Sequence, residues 1–211
     1  MKRSFLRHYT LPVILTVLFS TILSLPLTAQ SWNFIKEKDG IKLYTKEEPG
    51  VHLKSFRGIV DIDAPAEKVF DLLENVNNTS WWDKNITRIR ILHYEKNKSA
   101  QYYLVYDLPW PVADRDLCVD VKISLDTMSG ERRITAGPLP GLIPEVKGMV
   151  RIKNYNQSWT VTPRGRDMTH VILEGFVDPG GSIPDWILNM LIIDSPFRSL
   201  KGIIDQLGRK G

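Results

Sequence analysis

The sequence predicts an α+β fold in which one curved antiparallel sheet wraps around a long C-terminal helix. Strand-like runs follow one another between residues 86 and 177 with no helical pattern between them, which argues against a parallel sheet. One run, Arg115–Leu125, alternates between apolar and polar side chains, as antiparallel strands with one wet face do. The chain then ends in a long, mostly apolar helical pattern that starts near Ser182.

The first 29 residues have the layout of a secretory signal peptide. Lys2, Arg3 and Arg7 give a positive start. An apolar stretch over residues 11–27 follows, and Ala29 is a small residue suited to signal peptidase. We therefore expect an exported protein, periplasmic or secreted. An uncleaved anchor is the alternative, although the stretch falls short of the roughly 20 apolar residues of a spanning helix.

Removal of this segment changes the charge of the chain. The whole sequence has 28 Lys and Arg against 24 Asp and Glu, and residues 1–29 hold three of the basic residues and no acidic one. The mature chain therefore has a net charge of about +1, which gives no support for nucleic-acid binding. We expect residues 30–211 to form one monomeric domain. Cys118 is the single cysteine, so no internal disulfide forms.

Strand patterns and one short helix account for the middle of the chain. Asp63 is a candidate N-cap for a helix over Pro65–Leu73, with proline in its first turn. In the strand over residues 115–125, Leu117 and its apolar partners share one face, and Asp116 is on the wet face. The predicted strands cover residues 41–47, 53–62, 86–94, 101–108, 115–125, 132–136, 146–155, 159–162 and 168–177.

The terminal helix is predicted to begin with a capping box over residues 182–185. Pro196 lies inside the pattern and is expected to kink the helix. The first half is apolar nearly all round, which indicates burial on two sides or contact with lipid. Periodicity leaves open whether the interior is packed or hollow. The apolar positions that recur every three or four residues are Ile183, Trp186, Met190, Ile193, Phe197, Leu200, Ile204 and Leu207.

Four motifs, in this order and at fitting spacing, resemble those of the START lipid-transfer domains. The resemblance extends over nearly all of residues 32–207. It implies a helix-grip fold with an apolar cavity between the sheet and the C-terminal helix. The motifs are Trp82-Asp83, the strand start over residues 114–119, the segment of residues 135–137 and 147–151, and the approach to the last helix over residues 178–184.

The resemblance also implies one bound lipid or other hydrophobic ligand, with no cofactor and no metal. The side chains that we expect to line the cavity are Tyr102, Leu104, Tyr106, Arg115, Val119, Val121, Trp186, Met190 and Phe197.

Arg115 is the charged residue that we expect inside the cavity, because it shares a strand face with Leu117. An arginine there is suited to a ligand phosphate, carboxylate or hydroxyl. The alternative is a structural ion pair with a nearby aspartate. Sterol-binding members of the family have a second arginine six residues later, where this chain has Val121. This departure predicts a different or less polar ligand.

The loop over residues 137–144 is rich in glycine and proline but has three apolar side chains, Leu139, Leu142 and Ile143. One interpretation is a gate that contacts a membrane together with the first half of the last helix. The other is a loop that packs these side chains onto the core.

No residue pattern indicates a metal or a catalytic centre. His52, His93 and His170 lie far apart in the sequence, without a second ligand at metal-binding spacing. Cys118 has no histidine partner. Trp81 and Trp82 are expected to be core anchors rather than ligand-stacking residues.

Three functions remain open on the sequence. We favour a carrier that encloses one lipid. An enzyme of the same hollow fold, such as a cyclase or aromatase, would need an acid-base pair inside the cavity, and Arg115 with Tyr102 or Tyr106 is the available candidate. A protein-interaction module would have a packed interior, so a cavity volume would separate it from the other two.

Overall fold

The computed structural model describes residues 31–208, and the predicted signal peptide over residues 1–29 lies outside them. The strands are β1 (Asn33–Lys38), β2 (Ile41–Glu47), β3 (Lys54–Ile62), β4 (Ile86–Glu95), β5 (Ser99–Tyr106), β6 (Arg115–Leu125), β7 (Arg132–Pro138), β8 (Val150–Arg151), β9 (Asn154–Pro163) and β10 (Thr169–Asp178). The helices are α1 (Ala66–Glu74), α2 (Asp185–Asn189) and α3 (Ser195–Gly208), with a π-helical turn over Met190–Asp194 between the last two.

One curved sheet contains the ten strands of the described residues, and nine of them follow the order β1-β2-β3-β10-β9-β7-β6-β5-β4. Every pairing along this path is antiparallel, and the short β8 pairs with β6 in parallel. The α2–π–α3 segment, which we call the C-terminal helix, packs on the concave face. This arrangement confirms the predicted helix-grip fold.

The main core lies where α3 packs against β2 and β3. Leu200 and Ile203 are fully buried in it. The approach is so close that a Cβ on Gly58 of β3 would lie 2.4 Å from Leu200 Cδ1. Gly202 lets α3 approach the Trp81 carbonyl, which a Cβ there would meet at 2.4 Å. Glycine at these two positions therefore sets the distance between helix and sheet.

Several local predictions differ from the structure. The two N-caps are Pro65 and Pro184, and neither helix has a side-chain cap, so the predicted caps at Asp63 and Ser182 are corrected. The predicted strand over residues 146–155 starts later and is interrupted: residues 147–149 form a turn in which Gly148 has a φ of +88°, and residues 152–153 separate β8 from β9. Among residues 31–208, no helix is long and apolar enough to cross a membrane.

The π turn changes which face of the C-terminal helix points inward. A π turn takes more residues per turn than an α-helix, so it shifts the buried face along the sequence. Ile187 is fully buried and Trp186 is 52% exposed. Before the turn, the buried position therefore lies one residue later than the apolar pattern predicts, at Ile187 rather than Trp186. After the turn, the predicted position Leu200 is buried.

Candidate functional site: a cavity between sheet and helix

A cavity of about 240 Å³ lies between the concave face of the sheet and the C-terminal helix. Strands β4, β5, β6, β7, β9 and β10 contribute to its wall, as do the segment after α1 and the inner face of the C-terminal helix. Its lining is mainly apolar, and a small number of polar groups lies at defined places. This composition is typical of sites for small hydrophobic molecules.

Six of the nine predicted lining residues do line the cavity. They come from two neighbouring strands: Tyr102, Leu104 and Tyr106 from β5, and Arg115, Val119 and Val121 from β6. Each set alternates along its strand, which is why the pattern could be recognised in the sequence. Contact of these side chains with a ligand stays a prediction.

The three lining residues predicted on the C-terminal helix are corrected. Trp186, Met190 and Phe197 do not line the cavity. Phe197 packs at the edge of the main core, where the ammonium groups of Lys36 and Lys38 lie 5.3 and 5.9 Å from its ring centroid. Because the π turn displaces the inner face, the helix instead lines the cavity with Leu191, Ser195, Pro196 and Ser199.

A row of aromatic rings follows one side of the cavity. The ring centroids of Trp159 and Trp81 lie 5.7 Å apart, those of Trp81 and Trp82 lie 5.8 Å apart, and those of Trp82 and Tyr102 lie 5.7 Å apart. All three contacts are edge-to-face, the favoured geometry of such pairs. Trp81 is a core anchor as predicted, but Trp81, Trp82 and Trp159 also line the cavity.

An ion pair forms the polar end of the cavity. Arg198 of α3 donates to Asp83 through Nε at 3.1 Å and Nη2 at 2.8 Å. The Tyr106 hydroxyl donates to the same carboxylate at 2.6 Å, and the Asn85 backbone N–H donates at 3.1 Å. Burial alone would raise the pKa of Asp83, but these hydrogen bonds and one from Ser195 hold it below its ordinary value. Asp83 is therefore ionised and fully paired at neutral pH.

The tyrosines of the cavity stay protonated at neutral pH. Burial raises the pKa of Tyr106 to about 12, and the Asp83 carboxylate adds to the effect. Burial raises the pKa of Tyr102 to about 12, and the nearby Glu74 carboxylate adds to the effect. The phenols of Tyr102 and Tyr106 are therefore hydrogen-bonding groups rather than bases.

Arg115 is only 2% exposed and reaches from the cavity wall to two loops. Its guanidinium donates to the carbonyl of Ala113 just before β6, to the carbonyl of Pro179 at 3.2 Å and to that of Gly180 at 2.9 Å. Burial lowers the pKa of Arg115, and Asp114 opposes the effect. Backbone carbonyls thus take the place of the aspartate that the sequence suggested as a partner. Arg115 joins the loop before β6 to the chain that leads into the C-terminal helix.

The loop over residues 137–144 lies on the outer side of the sheet. Leu139 and Ile143 pack against the buried outer-face cluster, and neither lines the cavity, whereas Leu142 is 49% exposed. Two of the three predicted gate residues therefore pack onto the protein, as the second interpretation of the loop expected. The outer-face cluster consists of Tyr103, Val105 and Cys118.

Asp116 and Arg151 hold this loop in place. Arg151 donates to both carboxylate oxygens of Asp116 at 2.8 Å, and to the carbonyls of Ile143 at 3.0 Å and Pro144 at 3.1 Å. Burial opposes ionisation of Asp116, but the bonds from Arg151 and Tyr103 keep its pKa below the ordinary value. Asp116 is fully buried, which corrects its predicted place on a wet face.

No group of three or more His, Cys, Asp and Glu side chains suited to a metal ion occurs within residues 31–208. Sequence reasoning missed the part of the cavity wall that β9 contributes. Tyr155, Gln157 and Trp159 alternate along that strand, and this alternation was the signal that could have identified them.

Comparison with known proteins places this architecture in one family. The START domain family profile matches residues 21–207. An uncharacterized protein of Pseudomonas aeruginosa is 33% identical over 83% of this chain and 86% of its own length. Phosphatidylcholine transfer protein of mouse is 26% identical over 77% of each chain.

A solved structure agrees with these sequence matches. A STAR-related lipid transfer protein of Xanthomonas axonopodis is 30% identical and superposes with a TM-score of 0.74 over 83% of this chain and 98% of that one. The fold, the cavity and the sequence matches agree, and the chain belongs to the START domain family.

Proposed function

We propose that this protein encloses one lipid or other hydrophobic molecule in the cavity and carries it, without chemical change, between membranes or binding partners. The observation that carries the proposal is the apolar cavity beneath the C-terminal helix. Lipid binding is the function at family level, and two similar proteins are named as lipid or phosphatidylcholine transfer proteins.

The state of the cavity's acid-base groups supports a carrier over an enzyme. Asp83 is ionised and paired, and the phenols of Tyr102 and Tyr106 have a pKa of about 12. The Arg115 guanidinium donates its hydrogen bonds to backbone carbonyls. The enzyme alternative requires an acid-base pair with a member that titrates near neutral pH. None of these four groups is such a member.

Exposed apolar side chains at one end of the molecule support contact with a membrane there. Trp110 is 90% exposed in the loop before β6, and Trp186 is 52% exposed on the first turn of α2. Arg115 joins the segments that carry them. The loop that carries the half-exposed Leu142 lies at the same end of β6, where Arg151 and Asp116 hold it in place. Tryptophan side chains favour the membrane-water interface.

The Trp110→Asp and Trp186→Asp variants test this contact. Each removes an apolar side chain worth about 1.5–3 kcal/mol when buried, so we expect lipid uptake from vesicles to slow by about tenfold. Met128→Asp is the matched control, because Met128 is 96% exposed beyond the opposite end of β6. Equal uptake rates in all three variants would contradict the proposed contact.

Export is also a proposal, and it rests on the composition of residues 1–29. We expect the protein recovered from the cell envelope or the medium to lack these residues. The intact mass and N-terminal sequence of that protein would test this, since a retained Met1 would favour the membrane-anchor alternative.

Native mass spectrometry of protein purified without detergent, followed by organic extraction, tests the carrier function. We expect a bound mass that extraction identifies as an unchanged lipid. Val119→Trp, which fills the cavity, should lose this mass. Leu125→Trp is the control, because Leu125 lies on the same strand but is 52% exposed and outside the cavity.

The other outcomes separate the alternatives. Wild-type protein that carries no lipid and takes up none from vesicles would contradict the carrier and favour an interaction module. Conversion of the extracted molecule on incubation with fresh protein would favour an enzyme.

A further inference from the structure

A second pocket, of about 280 Å³, adjoins the cavity on the side of the β2–β3 loop. Two side chains, Val177 of β10 and Leu191 of the π turn, line both spaces. The wall between the spaces is therefore one side chain thick at these positions. The second pocket is bounded on its other sides by residues 52–54 and by the first half of the C-terminal helix.

The two spaces differ in their chemistry. The cavity is mainly apolar, whereas the second pocket combines apolar walls with four polar side chains. Lys54 is paired with Glu47 at 2.8 Å near the surface, and Asp185 is exposed on the first turn of α2. The four polar side chains are His52, Lys54, Asp185 and Asn189.

The volumes indicate that one ligand uses both spaces. Pockets for small molecules span about 300–1,000 Å³, and neither space alone reaches the lower limit, although the two together exceed it. A water molecule fills roughly 30 Å³ of liquid and a methylene group about the same, so each space holds about eight or nine such groups. That is enough for one alkyl chain and its head, not for two long chains.

The π turn lies at the junction of the two spaces. It supplies Leu191 to the shared wall and Ile192 to the second pocket. π turns recur at functional sites, because the wider turn displaces side chains from the regular helical position. Here the turn gives the C-terminal helix a side chain that contacts both spaces.

Resting on the proposed carrier function, we infer that the ligand is a single-chain amphiphile that crosses between Val177 and Leu191. The far end of its apolar chain fills the cavity, and the rest of the chain continues into the second pocket. Its polar head lies in the second pocket, within reach of Lys54 and Asp185.

Binding of cis-parinaric acid, a fluorescent single-chain fatty acid, and of its methyl ester tests this placement. We expect Asp185→Lys to tighten binding of the anionic acid about thirtyfold and Lys54→Glu to weaken it by a similar factor, because each reversal changes the charge by two units and one unit charge at about 4 Å in water changes the energy by about 1 kcal/mol. The uncharged ester should respond to neither change. Leu188→Trp, which fills the second pocket without altering a cavity-lining residue, should weaken both probes at least tenfold. Leu125→Trp should leave both unchanged.

Three results would overturn the inference. One is an equal response of acid and ester to both charge reversals, and another is wild-type affinity in folded Leu188→Trp. The third is wild-type protein that binds neither probe. Lipid that co-purifies with wild type but is lost from Val119→Trp would in each case leave the carrier function standing.

Discussion

Substitution of Arg115 by Met is the sharpest test of how the C-terminal helix is attached. The change keeps an apolar stem of similar length and removes the guanidinium. Three hydrogen bonds, to the carbonyls of Ala113, Pro179 and Gly180, are lost at a site that is only 2% exposed. We therefore expect a loss of stability rather than a selective loss of ligand.

The magnitude follows from those bonds. A hydrogen bond to a charged group contributes about 1.5–3 kcal/mol, and part of this is recovered because the loops lie near water and the arginine no longer has to be buried. A net loss of about 4 kcal/mol is a reasonable central value. For a domain of this size, each kcal/mol lowers the melting temperature by about 2–4 °C, so Arg115→Met should melt roughly 8–16 °C below wild type.

Differential scanning calorimetry of the ligand-free protein is the assay. Arg133→Met on the neighbouring strand β7 is the control, because the Arg133 side chain is 54% exposed and its pair with Glu131 spans 3.5 Å. That control should melt within about 2 °C of wild type. A melting temperature for Arg115→Met equally close to wild type, with lipid binding lost, would refute the reasoning and make Arg115 a ligand-binding residue.

Three further substitutions test the rest of the framework. Asp83→Asn should destabilise the protein by about 3 kcal/mol at pH 7, measured by urea unfolding. Because folding lowers the pKa of Asp83, its contribution is present above the unfolded value of about 3.9 and is lost as pH falls through the folded value, so wild type and variant should converge in acid. Gly58→Ala should cost about 1–3 kcal/mol, because the new Cβ would lie 2.4 Å from Leu200 Cδ1; an unchanged melting temperature would argue against this close packing. Arg151→Met should leave the fully buried Asp116 without its cation, with only the hydrogen bond from Tyr103, at a cost of about 3 kcal/mol, and should expose the loop over residues 137–144 to proteolysis. Wild-type resistance to protease would contradict the second part.

The sheet was predictable where apolar side chains recur at every second position. The strand over Arg115–Leu125 was predicted with its observed bounds, because its apolar residues recur in this way from Leu117 to Leu125, although the opposite face is buried at Asp116 and Cys118. β1 was not assigned, since Asn33–Lys38 is mostly exposed at the sheet edge and its two apolar residues, Phe34 and Ile35, are adjacent rather than alternating.

The helix face and the polar contacts were harder to predict for a different reason. The π turn over Met190–Asp194 has no clear sequence signal, so a constant helical period placed Trp186 and Met190 inside the cavity. Pro196 was expected to kink the helix, and it lies at the start of α3 directly after that turn. The partners of Arg115 are backbone carbonyls distant in sequence, and residue identities alone do not specify such contacts.

The outer-face cluster has a consequence for the redox chemistry of the chain. Cys118 is 3% exposed, with Leu139 and Ile143 packed against its cluster. In the oxidising compartment that the proposed export would provide, an exposed lone thiol would form mixed disulfides with other proteins, and burial removes Cys118 from such exchange. The loop over residues 137–144 thus acts as a cover for the thiol. The rate at which a thiol reagent modifies Cys118 in the native protein would consequently report how often that cover opens, with no added cysteine required.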